Sequence, residues 1–182
     1  MKANGMKKLS KLDMYKEKNP LAVVLIALFD KNKVLLARRK REPYRGFFGI
    51  LGGRQTFGLL TEDVVKKEVL EETGFSVKKG SIKTRGLYSE VLLDKEENPK
   101  DHFIFRVCEA YVDDKISEEL ENTDIERFEW FSLPLSDEIK NRVIPTDLIM
   151  LKHILSDKKY DFKEFVMKET EDPNKLEIVS SK

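Results

Sequence analysis

Apolar and polar positions along the chain alternate in ways that predict a sheet-rich domain. Residues 21–29 are almost wholly apolar, which is typical of a central strand buried on both faces. After a polar turn, residues 34–38 return as the partner of that strand. Residues 82–93 are predicted to form a further strand. Strict alternation of apolar residues over 103–107 predicts the inward face of the next strand, which pairs with it.

The second half of the chain adds strands and a helix to this pattern. Strands are predicted at 125–131 and 160–167, and residues 146–155 carry apolar positions at the spacing of an amphipathic helix. A helix is also expected from about residue 61. This order of elements predicts an α/β fold, an α/β/α sandwich around a mixed sheet.

The length of 182 residues suits one domain with a sizeable core. Neither an internal repeat nor a linker divides the chain. We expect residues 1–19 to form an N-terminal extension, residues 20–168 to form the domain, and residues 169–182 to form a polar C-terminal tail.

Charge and cysteine content narrow the function classes. Thirty-four basic and 33 acidic residues give a formal net charge of +1, so no global field favours a nucleic-acid polymer or an anionic membrane. Cys108 is the single cysteine and cannot form an internal disulfide. No apolar run reaches membrane-spanning length, and no signal-peptide core precedes Pro20. We expect a cytoplasmic protein that binds a small molecule, with a homodimer as a candidate assembly.

An acidic cluster is the most informative feature of the chain. At about 100° per residue, Glu68, Glu71 and Glu72 fall within one helical arc of roughly 100° that also contains Val64. A solvated acidic face would place its valines on the opposite side. Two of the three acids also lie in the last turn before Gly74, where the helix dipole disfavours negative charge. Clustered acids in such a position indicate a divalent metal site.

A solubilising surface helix is the alternative interpretation, because Lys67 and Glu71 form an ordinary i,i+4 pair. The preceding segment favours the metal site. The apolar run 47–51 predicts a strand that ends in a glycine turn at Gly52–Gly53, and a loop then leads to a helix with Thr61 as its N-cap. This unit presents the acids beside a doubled glycine.

These residues resemble the signature box of the Nudix hydrolase family. The spacing of the box is kept without a gap at Gly53, Glu68, Val69, Glu71, Glu72, Gly74 and Phe75. The chain departs from the box at two positions, where Leu59 replaces a glutamate and Lys67 replaces an arginine. In the family those two residues help to hold the metal-binding acids, and lysine lacks the planar fork of arginine.

The resemblance implies the same α/β/α fold and a metal-dependent activity. Glu68, Glu71 and Glu72 would be catalytic metal ligands, with one of them also acting as general base, and the Gly52 carbonyl would be an additional ligand. Hard oxygen donors favour Mg²⁺, or Mn²⁺, over zinc. Nudix enzymes hydrolyse a nucleoside diphosphate linked to another group, by attack of water at a phosphorus.

The segment before the box supplies candidate substrate-binding residues. Arg38, Arg39 and Arg45 are candidates for holding phosphates, and Tyr44 and Phe48 for stacking on a base. A solvated basic loop is the alternative for each arginine. Core packing is the alternative for the phenylalanine, because alternation places one residue of the 47–48 pair inside.

Two functions therefore remain open from the sequence. The first is an Mg²⁺-dependent hydrolase that cleaves a pyrophosphate bond in a nucleoside diphosphate-linked or nucleoside triphosphate substrate. The second is a catalytically weak Nudix-like module that binds a nucleotide, which Leu59 and Lys67 favour.

Overall fold

In the part of the chain that the structure describes, nine β-strands join in one mixed sheet with helices packed against both of its faces. The computed structural model describes residues 19–113, 126–156 and 160–182. The elements within these ranges are β1 Leu21–Asp30, β2 Lys33–Arg39, β3 Phe48–Gly49, β4 Leu51–Arg54, α1 Thr61–Thr73, β5 Lys83–Leu93, β6 Pro99–Tyr111, β7 Glu126–Ser132, α2 Asp137–Lys140, α3 Pro145–Ile154, β8 Asp161–Glu169 and β9 Leu176–Ser181. The predicted α/β/α sandwich around a mixed sheet is confirmed.

The sheet runs β3-β2-β1-β6-β5-β8-β9, with β4 also paired to β1 and β7 to β2. The β1–β6 and β5–β8 pairs are parallel, whereas the other named pairs are antiparallel. Parallel pairing buries both faces of β1, which explains its unbroken apolar sequence. None of the helices in the described ranges is long and apolar enough to cross a bilayer.

The core divides into two apolar clusters, one on each face of the sheet. Alternate residues of β1 enter opposite clusters, so Leu25 and Ala27 pack on the side of α3, while Val24 and Ile26 pack on the side of α1. Cys108 is fully buried in the cluster under α1, and this burial raises the pKa of its thiol.

Two predictions concern the ends of the chain. The predicted polar tail at 169–182 contains β9, which pairs antiparallel with β8 and extends the sheet to Ser181. Its alternating exposed side chains hid it, because an edge strand keeps one face in water. Nearly all of the predicted extension at 1–19 lies outside the described residues.

The glycine pair also differs from its predicted structure, which was a turn. The run 47–51 is divided between β3 and β4, and Gly52 and Gly53 lie inside β4, hydrogen-bonded in register with Leu25 and Val24. They are strand residues and not a turn. The physical reason for glycine here is close packing, as the site geometry shows.

Candidate active site

Helix α1 presents the acidic cluster to the sheet. It begins after Leu60, which has an extended conformation and makes no side-chain cap hydrogen bond, so the predicted N-cap Thr61 is already inside the helix. The Thr61 hydroxyl instead accepts a hydrogen bond from Arg106. The helix ends at Gly74, whose φ of 73° is the left-handed conformation that glycine adopts without strain.

The three predicted metal ligands differ in their exposure. Glu68 lies on the buried face of α1 with only 9% of its surface exposed. Glu72 is half-buried, and the Glu71 side chain is 59% exposed. The helical arc that the three acids share therefore extends from the buried face of α1 to its solvent-exposed face, and Glu68 is the most buried of the three.

Gly53 makes room for the innermost acid. A Cβ atom built on Gly53 would lie 2.1 Å from the Oε2 atom of Glu68, well inside van der Waals contact. A Cβ on Gly52 would lie 2.3 Å from the backbone oxygen of Val24. The doubled glycine thus serves two contacts: Gly52 lets β4 approach β1, and Gly53 lets the helix carboxylate rest on the strand backbone.

A lysine already holds two of the acids. The Lys67 ammonium lies 3.1 Å from Oε1 of Glu68 and 2.7 Å from Oε2 of Glu71. Hydrogen bonds to Glu71 and then to Glu68 raise the pKa of Lys67. The i,i+4 pair named from the sequence is present, and it spans two of the predicted metal ligands.

The donor set suits a hard cation, but the carboxylates are not arranged around a single point. Within the described ranges, no three acidic, histidine or cysteine side chains converge closely enough to hold one ion. Carboxylate oxygens that already grip an ammonium have the chemistry that Mg²⁺ or Mn²⁺ requires. An ion bound between Glu68 and Glu71 would displace the Lys67 ammonium.

Leu59 leaves the loop before α1 without the carboxylate found in the family box. Its side chain is 38% exposed, and its carbonyl accepts a hydrogen bond of 2.8 Å from the Gln55 amide. The loop is therefore closed by its own backbone and side-chain contacts at this position.

A cavity of about 650 Å³ opens on the other side of β4. This volume falls in the range of small-molecule sites. Gly52 lines it directly, next in sequence to the glycine that seats Glu68. Its walls combine apolar and polar side chains, which include Val23, Leu25, Arg39, Tyr44, Glu90, Phe103, Phe105 and Asp147.

Two predicted substrate-binding residues lie at this cavity. The Arg39 Nε atom donates to the Pro43 carbonyl at 3.0 Å. Tyr44 is 6% exposed, and its hydroxyl donates to the Leu176 carbonyl at 3.1 Å. Burial first, and then the charge of Glu90, raises the pKa of Tyr44 to about 12.

The other three predicted substrate residues lie elsewhere. Arg38 and Arg45 line a second, shallower concavity of about 350 Å³, which shares Arg39 with the cavity. Phe48 is 2% exposed, with its ring packed edge-on to Phe131 at 4.8 Å and beneath the Arg142 guanidinium at 5.1 Å. Phe48 is therefore a core residue with no face open for stacking on a base. The alternative interpretation from the sequence, core packing, is the correct one for this residue.

Sequence reasoning missed two acids at the cavity. Glu90 lies on the inward face of β5 between Tyr88 and Leu92, where the alternation expects an apolar residue. Burial first, and then the charge of Asp147, raises the pKa of Glu90 to about 7, while a hydrogen bond from Thr146 opposes the shift. An acid at a core position of a strand was the signal available in the sequence.

Asp147 is fixed at the cavity wall by the strand segment that carries the glycines. Its Oδ2 atom accepts a hydrogen bond of 2.8 Å from the Ile50 backbone, between β3 and β4. A Cβ on Gly49 would lie 2.9 Å from the same oxygen. Asp147 also lies in the first turn of α3, where the helix dipole favours an acid.

Comparison with known proteins identifies the family of this chain. The family model described as the NUDIX domain matches residues 18–146. An ADP-ribose pyrophosphatase of Methanocaldococcus jannaschii is 34% identical over 114 residues, which cover 62% of this chain and 62% of that protein. The matched region thus spans less than two thirds of the relative's length.

Solved structures share the fold. The MutT protein of Bacillus halodurans superposes with a TM-score of 0.64 at 23% identity, covering 89% of this chain and 96% of that one. The Nudix domain of Shewanella oneidensis NrtR, in complex with ADP ribose, gives a TM-score of 0.58 at 15% identity, covering 81% of this chain and 97% of that one. Because the family model matches more than half of the sequence, the chain belongs to the Nudix hydrolase family.

Proposed function

We propose that the protein is an Mg²⁺- or Mn²⁺-dependent hydrolase that cleaves the pyrophosphate bond of a nucleoside diphosphate-linked substrate. One observation carries the proposal. Strand β4 lies between the cavity and the acidic helix, with Gly52 on the cavity wall and Gly53 under the Glu68 carboxylate. A substrate with its nucleoside in the cavity would extend its phosphates past this strand to the acids.

ADP-ribose is the first substrate to test. The 34% identity to an ADP-ribose pyrophosphatase supports it, and the cavity volume suits the nucleoside half of such a molecule. Nucleoside triphosphates form the second group, since they contain the same bond. Among the basic residues that line the cavity, we assign Arg39 to the phosphates.

The acids of α1 would hold the metal and place the water. A divalent cation held by Glu68, Glu71 and Glu72, with the Gly52 carbonyl as a further donor, would supply charge neutralisation to the phosphates and acidity to the attacking water. The water oxygen forms a bond to one phosphorus, and the bond from that phosphorus to the bridging oxygen breaks. A carboxylate of the cluster takes the proton, and ADP-ribose yields AMP and ribose 5-phosphate.

A second candidate is a nucleotide-binding module with little turnover. Two observations favour it: Lys67 bonds to Glu68 and Glu71, and Leu59 contributes no carboxylate to the loop. In this case the cavity would still bind a nucleotide, and the acids would stay paired with lysine.

The deciding experiment is a hydrolysis screen with Mg²⁺ and Mn²⁺ over ADP-ribose, nucleotide sugars and nucleoside triphosphates, with the products identified. Glu71→Gln is expected to lower kcat by about 100-fold or more, because it removes a charged ligand. Glu62→Gln is the matched control, since Glu62 pairs with Lys66 at 2.7 Å on the same helix. Nucleotide binding without metal-dependent turnover would refute the hydrolase and support the module.

Restoring the family box tests how far its two departures limit the rate. The double variant Leu59→Glu and Lys67→Arg replaces an exposed leucine and a lysine that already bonds two acids. A large gain in kcat would show that the support of the acids limits turnover. An unchanged kcat would show that the present ion pairs position the acids well enough.

A further inference from the structure

Glu90 is a buried carboxyl group that lines the cavity and has one oxygen without a hydrogen-bond donor from the described parts of the chain. Its Oε2 atom is buried and has no hydrogen-bond partner among the described residues, although only 9% of the residue is exposed. The Thr146 hydroxyl hydrogen-bonds the side chain, which leaves Oε2 as the open position. A buried carboxyl oxygen without a donor destabilises the free protein, so it indicates a donor that arrives with a ligand.

Asp147 adds a second acceptor beside it. The charge of Asp147 is close enough to raise the pKa of Glu90, and the Asp147 carboxylate is anchored by the Ile50 backbone. Two carboxyl groups that face one cavity attract N–H donors and disfavour keto oxygens. The cavity itself is not a metal cluster, because no three ligands converge among the described residues.

An aromatic pair in the same cavity suits a planar ring. Phe103 and Phe105 stack on each other with ring centroids 5.6 Å apart and an interplanar angle of 11°. Both line the cavity, both are half-buried, and Phe103 is in register with Glu90 across the β5–β6 pair. A base resting against these rings would bring its edge toward the acids.

We propose that Glu90, together with Asp147, binds an exocyclic amino group of the substrate's nucleobase and so makes the protein selective for amino-bearing bases. This inference rests on the proposed function, because it treats the cavity as the nucleoside subsite of that reaction. The two can fail separately: hydrolysis without base selectivity would overturn only the inference, and selective binding without hydrolysis would overturn only the proposed function.

The test uses nucleoside monophosphates, which contain no pyrophosphate bond. Two pairs each differ by one amino group: AMP with purine riboside 5′-monophosphate, and GMP with IMP. Dissociation constants are measured by calorimetry at about pH 8.5, above the Glu90 pKa of about 7. The wild-type protein is expected to bind the amino-bearing member of one pair about tenfold more tightly or better.

Two variants of Glu90 measure how much its carboxylate contributes to the preference for the amino-bearing nucleotide. The preference should weaken in Glu90→Gln, which loses the charge, and weaken further in Glu90→Leu, which loses both oxygens and leaves only Asp147. Ser89→Ala on the opposite face of β5 is the control and should keep it. Thermal unfolding checks each variant, and Glu90→Gln alone decides if the leucine variant does not fold. Equal affinities in both pairs, or a preference unchanged in Glu90→Gln, would overturn the proposal.

Discussion

The contact between Gly53 and Glu68 makes the sharpest prediction about the site. In Gly53→Ala the new methyl group would lie 2.1 Å from Oε2 and 2.4 Å from Cδ of Glu68. Ordinary contact begins at about 3.4 Å, so the carboxylate must move by more than about 1 Å. The Gly53 backbone is not left-handed, and alanine is therefore strained only by this overlap.

The magnitude follows from that displacement. A misplacement of about 1 Å in a reacting group lowers rates by about 100-fold, so kcat should fall by that factor. Because the overlapping atoms are the far end of the Glu68 side chain, the free energy of unfolding should fall by an amount at the lower end of the about 1–3 kcal/mol typical of overpacking. Metal-dependent hydrolysis and chemical denaturation measure the two quantities on the same protein.

A double-mutant cycle separates this contact from general damage. Glu68→Ala removes the overlapping carboxylate, so the stability lost in Gly53→Ala should return in the double variant. Gly52→Ala is the contrasting variant, because its methyl group would meet the Val24 backbone oxygen at 2.3 Å and no side chain can yield there. Full activity in Gly53→Ala, or no coupling with Glu68→Ala, would refute this geometry.

Three further predictions follow from single contacts. The folded-state pKa of Glu90 is about 7 against an ordinary 4.5, so the folded chain holds the extra proton between these values. The unfolding free energy of the wild type should therefore fall by about 3 kcal/mol from pH 4.5 to pH 7 relative to Glu90→Gln in denaturation titrations. Phe48→Ala should lower stability by about 3–5 kcal/mol and leave the KM of the folded protein unchanged. Lys67→Met should tighten Mn²⁺ binding in spin-resonance titrations, unlike Lys66→Met, because Lys67 holds two of the acids; equal affinities would contradict this.

Local patterns predicted most of the fold because strand and helix periods are properties of short segments. The apolar run that forms β1 and the spacing that forms α1 are both read within a dozen residues. The box spacing fixed which acids share a helix face for the same reason. Strand β9 escaped prediction because an edge strand lacks the continuous apolar sequence of a buried one.

The cavity could not be predicted because its parts are distant in sequence. Glu90 and Asp147 come from a strand and a helix, and only the packing of α3 against β5 brings them together. The glycine pair was visible in the sequence, but the structural reason for glycine at these positions was not. A turn and a close approach both demand glycine, and only the register with β1 distinguishes them.

A change of strand partner along β1 explains why the cavity and the acids adjoin. The end of β1 pairs with β2 from Leu28 onward, whereas residues 23–26 pair with β4 on the same edge. The chain between β2 and β4 forms a loop and then β3, which pairs with β2, and this loop carries Tyr44 to the cavity that Arg39 at the end of β2 also lines. Strand β4 pairs with the part of β1 that β2 leaves unpaired, and α1 packs against β4. Because the cavity and the acidic site share this one short strand, moving β4 would alter both together.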